Sequence, residues 1–355
     1  MLLLTNTVCL ALTPKAGAVV PGPVRASDRM WRHGRAEPSI AMLLVRRESG
    51  ESLGVQTNLK HRCACACTSR LRLARKIRGG SGCVNTVRFH SDGVTCATSG
   101  DDCAVHIWNA HSGALRCSAH TGHSGNVFSA IFLPAYPSIL ATCGADGEVR
   151  LVDSHSGAAQ LISACQRTAL KLDVVPSSPH CLVSSQLDRS VRLFDIRERP
   201  QPASSITASP NFWCSDPFAL LKFEEVQPTS QAVFDPLRPN LFAVATDDLY
   251  VNIFDLRARS KHWGVAGPLA TYLPADVSTL NSDDNNFSEP VEGASGLAWH
   301  PDGSLAANYR GADAFLLDAS PSGQAEAFHS PANSVLATYR GRENKHTFLK
   351  YAVAS

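Results

Sequence analysis

Five short aliphatic runs, each leading into a turn, set the strongest constraint on this chain. They are VRFHS (87–91), AIFLP (130–134), LDVVP (172–176), AVFDP (232–236) and LAWHP (297–301). Their central residues, Phe89, Phe132, Val174, Phe234 and Trp299, are spaced by 43, 42, 60 and 65 positions. Pro or Ser follows two residues later each time. A second β-prone run comes next: VTCATSG, ILATCGA, CLVSSQL, LFAVATD and SLAANYR. A polar turn then introduces a third: AVHIWN, EVRLVD, SVRLFDIR, YVNIFDLR and AFLLD. The third runs end in register at Asn109, Asp153, Asp195, Asp255 and Asp318, with spacings of 44, 42, 60 and 63. Two independent markers thus repeat with one period. Alternation of apolar and polar residues within the runs fits half-buried strands. Helical spacing of three and four is nearly absent. A period in the low forties holding three or four short strands is the pattern of a β-propeller blade.

Where the period lengthens to sixty or more, insertions occupy about 199–228 and 258–294. Both are rich in Ser, Pro, Asp and Asn and carry scattered aromatics, among them Phe212, Trp213, Phe218, Trp263 and Tyr272. In repeat folds such insertions become surface loops and often form a binding face. With 44% hydrophobic and 18% charged residues, the 355-residue chain has enough apolar side chains for a sizeable core.

The net charge of +2 conceals an asymmetry. Residues 1–78 hold 14 Lys/Arg and 4 Asp/Glu, leaving 19 basic and 27 acidic residues beyond. Residues 1–70 read as a basic arm, expected to be disordered or a targeting segment. Its start, MLLLTNTVCLALTPKAGA, is signal-like but lacks a charged n-region, and the Arg-rich, acid-poor stretch after it fits a transit peptide only loosely. Nucleic-acid contact through residues 15–78 is the alternative reading of this charge. The twelve cysteines form no secreted framework and are expected to be reduced. Cys63, Cys65 and Cys67 alternate without the two-residue gap of zinc knuckles, and no second ligand pair follows at suitable spacing. No run of eighteen apolar residues occurs, so no membrane-spanning helix is expected.

The second unit opens with Gly122-His123, places Asp146 in its GADG turn and ends its third run at Asp153. This resembles the WD repeat, in which a Gly-His dipeptide, a turn Asp and a terminal Trp-Asp recur. The resemblance implies that His123 and Asp146 hydrogen-bond beneath the third strand and fix the blade. The first unit supplies Asp102 and Trp108, with Gly80 where the His is expected, and His106 is expected to pack beside Trp108. The terminal pair is Trp-Asn, Val-Asp, Phe-Asp, Phe-Asp and Leu-Asp in turn, so no unit carries the complete polar set. Asp102, Trp108, His123, Asp146 and Asp153 are therefore expected to be structural.

The third and fourth units end in Phe194-Asp195-Ile196-Arg197 and Phe254-Asp255-Leu256-Arg257. This resembles the extended motif Trp/Phe/Tyr-Asp-x-Arg of substrate receptors that dock on the adaptor of cullin-4 ubiquitin ligases. GCVNTVRF (82–89), GHSGNVFSAIFLP (122–134) and YRGRENKHTFLK (339–350) are similar to blade openings in the cullin-4-associated factors, most of all those of the factor-eight type. The likeness covers about residues 71–355. It implies an all-β WD-repeat propeller with Asp195, Arg197, Asp255 and Arg257 as adaptor-docking residues, a bound protein substrate and a location in nucleus, cytoplasm or both. An Arg just past a strand can give bidentate hydrogen bonds to carboxylates or carbonyls. The rival is an ion pair inside the blade with an acidic neighbour in the next turn. Family members close with seven blades. Here five units and the start of a sixth, FLKYAVA (348–354), are visible, so an incomplete propeller is expected, with LRLARKI (71–77) as an outer strand lacking inner partners.

No phosphate loop, HExxH, GxSxG or CxxC occurs, so a non-catalytic, cofactor-free interaction protein is expected, and Asn286-Phe287-Ser288 is an idle sequon in a cytosolic setting. A general WD-repeat scaffold unrelated to ubiquitin is the alternative within the same fold.

Overall fold

The computed structural model describes residues 2–4, 7–12, 72–165, 167–197, 219–222, 229–258, 267–274, 277, 292–300, 303–319 and 335–339. Among these, β1 (Leu2–Leu4), β2 (Thr7–Leu12) and β3 (Arg72–Arg78) form a three-stranded sheet in that order. The segment expected to be an unpaired outer strand is thus paired with residues near the N-terminus. The Cys63–Cys65–Cys67 cluster, FLKYAVA and most of the basic arm lie outside the described residues.

The five units of the sequence are five four-stranded antiparallel sheets, all in one compact unit. Blade 1 holds β4 (Val84–Phe89), β5 (Thr95–Gly100), β6 (Ala104–Asn109) and β7 (Leu115–His120). Blade 2 holds β8 (Val127–Leu133), β9 (Tyr136–Gly144), β10 (Glu148–Asp153) and β11 (Ala159–Ala164). Blade 3 holds β12 (Ala169–Val174), β13 (Cys181–Gln186), β14 (Ser190–Asp195) and β15 (Ala219–Lys222). Blade 4 holds β16 (Thr229–Phe234), β17 (Leu241–Thr246), β18 (Val251–Asp255) and β19 (Ala270–Tyr272). Blade 5 holds β20 (Glu292–Trp299), β21 (Leu305–Arg310), β22 (Ala314–Leu317) and β23 (Val335–Tyr339). The two stretches read as insertions therefore carry the fourth strands of blades 3 and 4. Tyr272, one of their aromatics, is buried in the core. Phe212, Trp213, Phe218 and Trp263 lie outside the described residues.

The sequence register is the sheet register. Phe89 pairs with Cys96, which pairs with Trp108. The rows Phe132–Leu140–Val152, Val174–Leu182–Phe194, Phe234–Phe242–Phe254 and Trp299–Leu305–Leu317 repeat this in blades 2 to 5. The residue one place before the terminal Asn or Asp is thus always at the end of such a row. Five residues before each first-strand marker, at Val84, Val127, Ala169, Thr229 and Ala294, the ladder shifts register. A bulge there adds local twist to every sheet.

Those rows explain the aromatic and aliphatic character of the markers. The rows of blades 2 to 5 each rest on the preceding sheet. Leu140 meets Ala97, Val105 and Ile107, and Leu182 and Phe194 meet Ile131, Ala141 and Val149. Phe234, Phe242 and Phe254 meet Val183, Val191 and Leu220, while Trp299, Leu305 and Leu317 meet Val233, Ala243 and Ile253. Second strands such as TCATSG and LFAVAT are buried along their whole length, and LFAVAT lies between the sheets of blades 3 and 5. Each fully buried Phe of these rows stabilises the sheet-on-sheet contact by about 1.5–3 kcal/mol.

First strands of successive blades lie side by side. Side chains join them at one repeated offset. Leu172 N–H donates to Ser129 Oγ at 3.3 Å, Phe234 N–H to Asp173 Oδ2 at 2.7 Å and Leu297 N–H to Gln231 Oε1 at 3.0 Å. The Gln231 amide also donates to Leu297 O at 3.0 Å. In each case the acceptor sits one register place before the donor. Neighbouring first strands therefore run parallel, and matching turns of successive blades share one edge of the array.

Candidate functional site

Two kinds of turn alternate around every meander. Second-to-third turns lie on one edge, first-to-second and third-to-fourth turns on the other. Each edge carries its own set of polar residues.

On the second-to-third edge, a carboxylate sits six residues before the end of the row in blades 1 to 4: Asp102, Asp146, Asp188 and Asp248. Each accepts a hydrogen bond from the backbone N–H two residues on, at 3.0–3.2 Å from Ala104, Glu148, Ser190 and Tyr250. These are Asx turns that cap the tight connection. What completes each carboxylate differs. In blade 2, Nδ1 of His123 lies 3.0 Å from both oxygens of Asp146, and its Nε2 lies 3.0 Å from Thr142 Oγ1. In blade 1 the partner is His106, whose Nε2 is 2.7 Å from Asp102 Oδ2. His106, expected only to pack, replaces the missing dipeptide His. Trp108 Nε1 donates to Thr98 Oγ1 at 2.9 Å. In blade 3 the Arg192 guanidinium donates to Asp188 at 2.6 Å, and in blade 4 the Thr246 hydroxyl bonds Asp248. Asp188 and Asp248 escaped the sequence reading. The six-residue offset was the signal that could have found them.

Electrostatics follow these partners. Burial holds the His123 imidazole below its ordinary value, against the pull of Asp146. Burial alone would raise Asp146, but amide donation from Ser124 and Glu148, with His123, brings it below the usual carboxylate value. Asp248 is raised by burial despite its Thr246 and Tyr250 donors. His123, Asp146 and Glu148 cluster closely enough to hold a cation. However, both His123 nitrogens are engaged and Glu148 accepts from Arg150 at 2.6 Å, so the cluster is a closed hydrogen-bond network. Asp102, Trp108, His123 and Asp146 all sit in such blade-internal networks.

The opposite edge carries the row ends. Asn109, Asp153, Asp195 and Asp255 each accept, through Oδ1, the backbone N–H two residues on: His111, His155, Arg197 and Arg257, at 2.8–3.0 Å. The residue after each strand end donates its N–H to a carbonyl at or just after the neighbouring first-to-second turn, from Ala110 to Val94, Ser154 to Ser138, Ile196 to His180 and Leu256 to Asn240. Four blades thus place His111, His155, Arg197 and Arg257 at the same position of one backbone turn, of which the sequence reading had found the two arginines. Arg197 and Arg257 are distinguished by a fork. Arg197 Nε lies 2.9 Å from Asp195 Oδ1 and Nη2 2.5 Å from Oδ2. Arg257 Nε and Nη2 lie 3.1 and 2.8 Å from the two oxygens of Asp255. The side chains remain 59% and 70% exposed. Each arginine thus pairs with the Asp two residues before it, inside its own motif, and its tip stays at the surface. The Arg197 guanidinium holds the Asp195 carboxyl down to about 2, and Arg257 lowers Asp255 in the same direction.

A family model described as WD domain, G-beta repeat matches residues 71–109 and 115–153. These are most of blades 1 and 2, and with the five sheets they define an all-β, WD-repeat architecture. Protein ALTERED SEED GERMINATION 2 of Arabidopsis thaliana is 30% identical over 208 residues, covering 53% of this chain and 28% of the relative. WD and tetratricopeptide repeats protein 1 of Mus musculus is 26% identical over 229 residues, covering 64% and 32%. DDB1- and CUL4-associated factor 6 of Homo sapiens is 27% identical over 222 residues, covering 59% and 24%. The chain thus spans about a third or less of the length of these relatives.

Proposed function

We propose that this chain is a non-catalytic docking protein that acts as a substrate receptor of a cullin-4 ubiquitin ligase, with Arg197 and Arg257 contacting the ligase adaptor. One observation carries the proposal. The same Asp-x-Arg fork stands on two consecutive blades, on one edge, with both guanidinium groups exposed. A guanidinium clamped through Nε and Nη2 keeps its outer N–H groups for a partner, at little further cost in side-chain entropy. Likeness to a relative whose name couples it to DDB1 and CUL4 supports the same partner. Asp195 and Asp255 position the arginines. Ubiquitin transfer belongs to other subunits, and the protein to be modified binds elsewhere on the array.

The test is co-precipitation of the full chain with the purified adaptor of the cullin-4 ligase. The double variant Arg197→Ala/Arg257→Ala should lose binding while keeping the thermal melting profile of the unaltered chain. Undiminished binding by the double variant would remove these residues from the mechanism.

A further inference from the structure

The fork edge holds more than its arginines. Seven large apolar side chains are exposed among the described residues, and five lie on this edge: Phe89, Leu115, Tyr136, Leu237 and Leu269. Tyr136 opens β9, directly after the first-to-second turn of blade 2, and Leu237 lies in the first-to-second turn of blade 4. Leu269 precedes β19 and donates its N–H to Ile253 O, two residues before Asp255. The Tyr136 ring packs 5.6 Å from His180, whose carbonyl accepts the N–H of Ile196, next to Arg197. Leu237 stands in the turn whose Asn240 carbonyl accepts the Leu256 N–H, next to Arg257. Each fork thus has exposed apolar neighbours.

The forks are also balanced in charge. Each guanidinium is neutralised by a carboxylate that lies within 3.1 Å at both oxygens and stays ionised through the physiological range. A lone arginine would attract an acidic partner. A neutralised one offers directed N–H donors with little long-range field, and the carboxylate beside it repels a second carboxylate.

Resting on the docking reading above, we infer that the fork edge receives an uncharged apolar surface of the adaptor, whose backbone carbonyls accept from Arg197 and Arg257 and whose apolar side chains cover Tyr136, Leu237 and Leu269. Affinity then comes from apolar burial and directed hydrogen bonds rather than from attraction between net charges. Binding of this kind is insensitive to salt, because screening acts on net charges separated by a Debye length or more.

The experiment is titration calorimetry of the full chain with the purified adaptor at 50 and 500 mM NaCl. Alongside run the single variants Tyr136→Ala, Leu237→Ala and Leu269→Ala, each a surface truncation that leaves the core intact. The expected Kd changes by less than about threefold between the two salts, since the fields involved are short-ranged. Leu237→Ala or Tyr136→Ala should weaken binding by about fivefold or more, the loss that marks an interface anchor. A Kd that rises about tenfold or more with salt, together with unchanged affinity in all three variants, would overturn the inference and leave the docking reading standing. Absence of any adaptor binding by the unaltered chain overturns both.

Discussion

His106 Nε2 lies 2.7 Å from Asp102 Oδ2, in the space left free by Gly80, where a Cβ would stand 2.0 Å from that same oxygen. A third-strand histidine thus restores, from inside its own sheet, the carboxylate partner that a WD repeat would draw from its opening dipeptide. Ser118 Oγ, 2.9 Å from His106 Nδ1, fixes the far side of the ring.

The two histidine positions are therefore mutually exclusive in blade 1. His106→Ala should destabilise the protein by about 1–3 kcal/mol, the cost of leaving a largely buried carboxylate short of a partner. Adding Gly80→His to that variant should not restore stability, because φ is +117° at Gly80 and its Cβ would clash. Denaturant melts of the single and double variants measure both effects, and recovery in the double variant would contradict the assignment.

The second-to-third turns predict a gain. Gly147 takes φ +78° in blade 2, and the matching residues in blades 1 and 3 are Cys103 at +55° and Arg189 at +70°. A non-glycine residue there costs about 1–2 kcal/mol, of which glycine's larger unfolded-state entropy returns about half. Arg189→Gly should therefore raise stability by up to about 1 kcal/mol. Cys103→Gly offsets part of the same backbone relief, because it loses the thiol contact with Gly125 O at 3.2 Å. The converse change, Gly147→Ala, places a Cβ 2.3 Å from Cys165 O and should lower the melting temperature.

His123 makes stability depend on pH in one direction. Its imidazole is held below the ordinary value in the folded chain, so below about pH 6.5 the unfolded chain takes up a proton that the folded chain refuses. Its contribution is complete above the unfolded value and is lost as pH falls, by at most about 1.4 kcal/mol per unit. Melting temperature measured from pH 7.5 to 5.5 should fall more steeply for the unaltered chain than for His123→Asn. Parallel slopes would show that the histidine is not held neutral.

Much of this could be read from the sequence, and the reasons differ from element to element. The rows ending at Val152, Phe194, Phe254 and Leu317 were legible because one face of each strand must be apolar to rest on the sheet before it. The paired forks were legible as a repeated phrase, but not as forks. A contact between residues two apart needs the strand to end in an Asx turn, and that is a backbone event. The fourth strands β15 and β19 were hidden because they are four and three residues long inside polar stretches, and pairing with β14 and β18 defines them. Asp188 and Asp248 were missed because no Gly-His dipeptide points to them, and Arg192 and Thr246 complete them from within their own blades.

The side chains that join neighbouring first strands give the array a built-in clock. The amide protons of Leu172, Phe234 and Leu297 are guarded by groups belonging to the blade before their own. Their exchange with deuterated solvent waits on the parting of two blades, whereas the amides of β7 or β11 wait only on fraying of a single sheet. Three peptide groups thus time separately the partings of blade 2 from 3, 3 from 4 and 4 from 5, and together they tell whether the array opens stepwise or all at once.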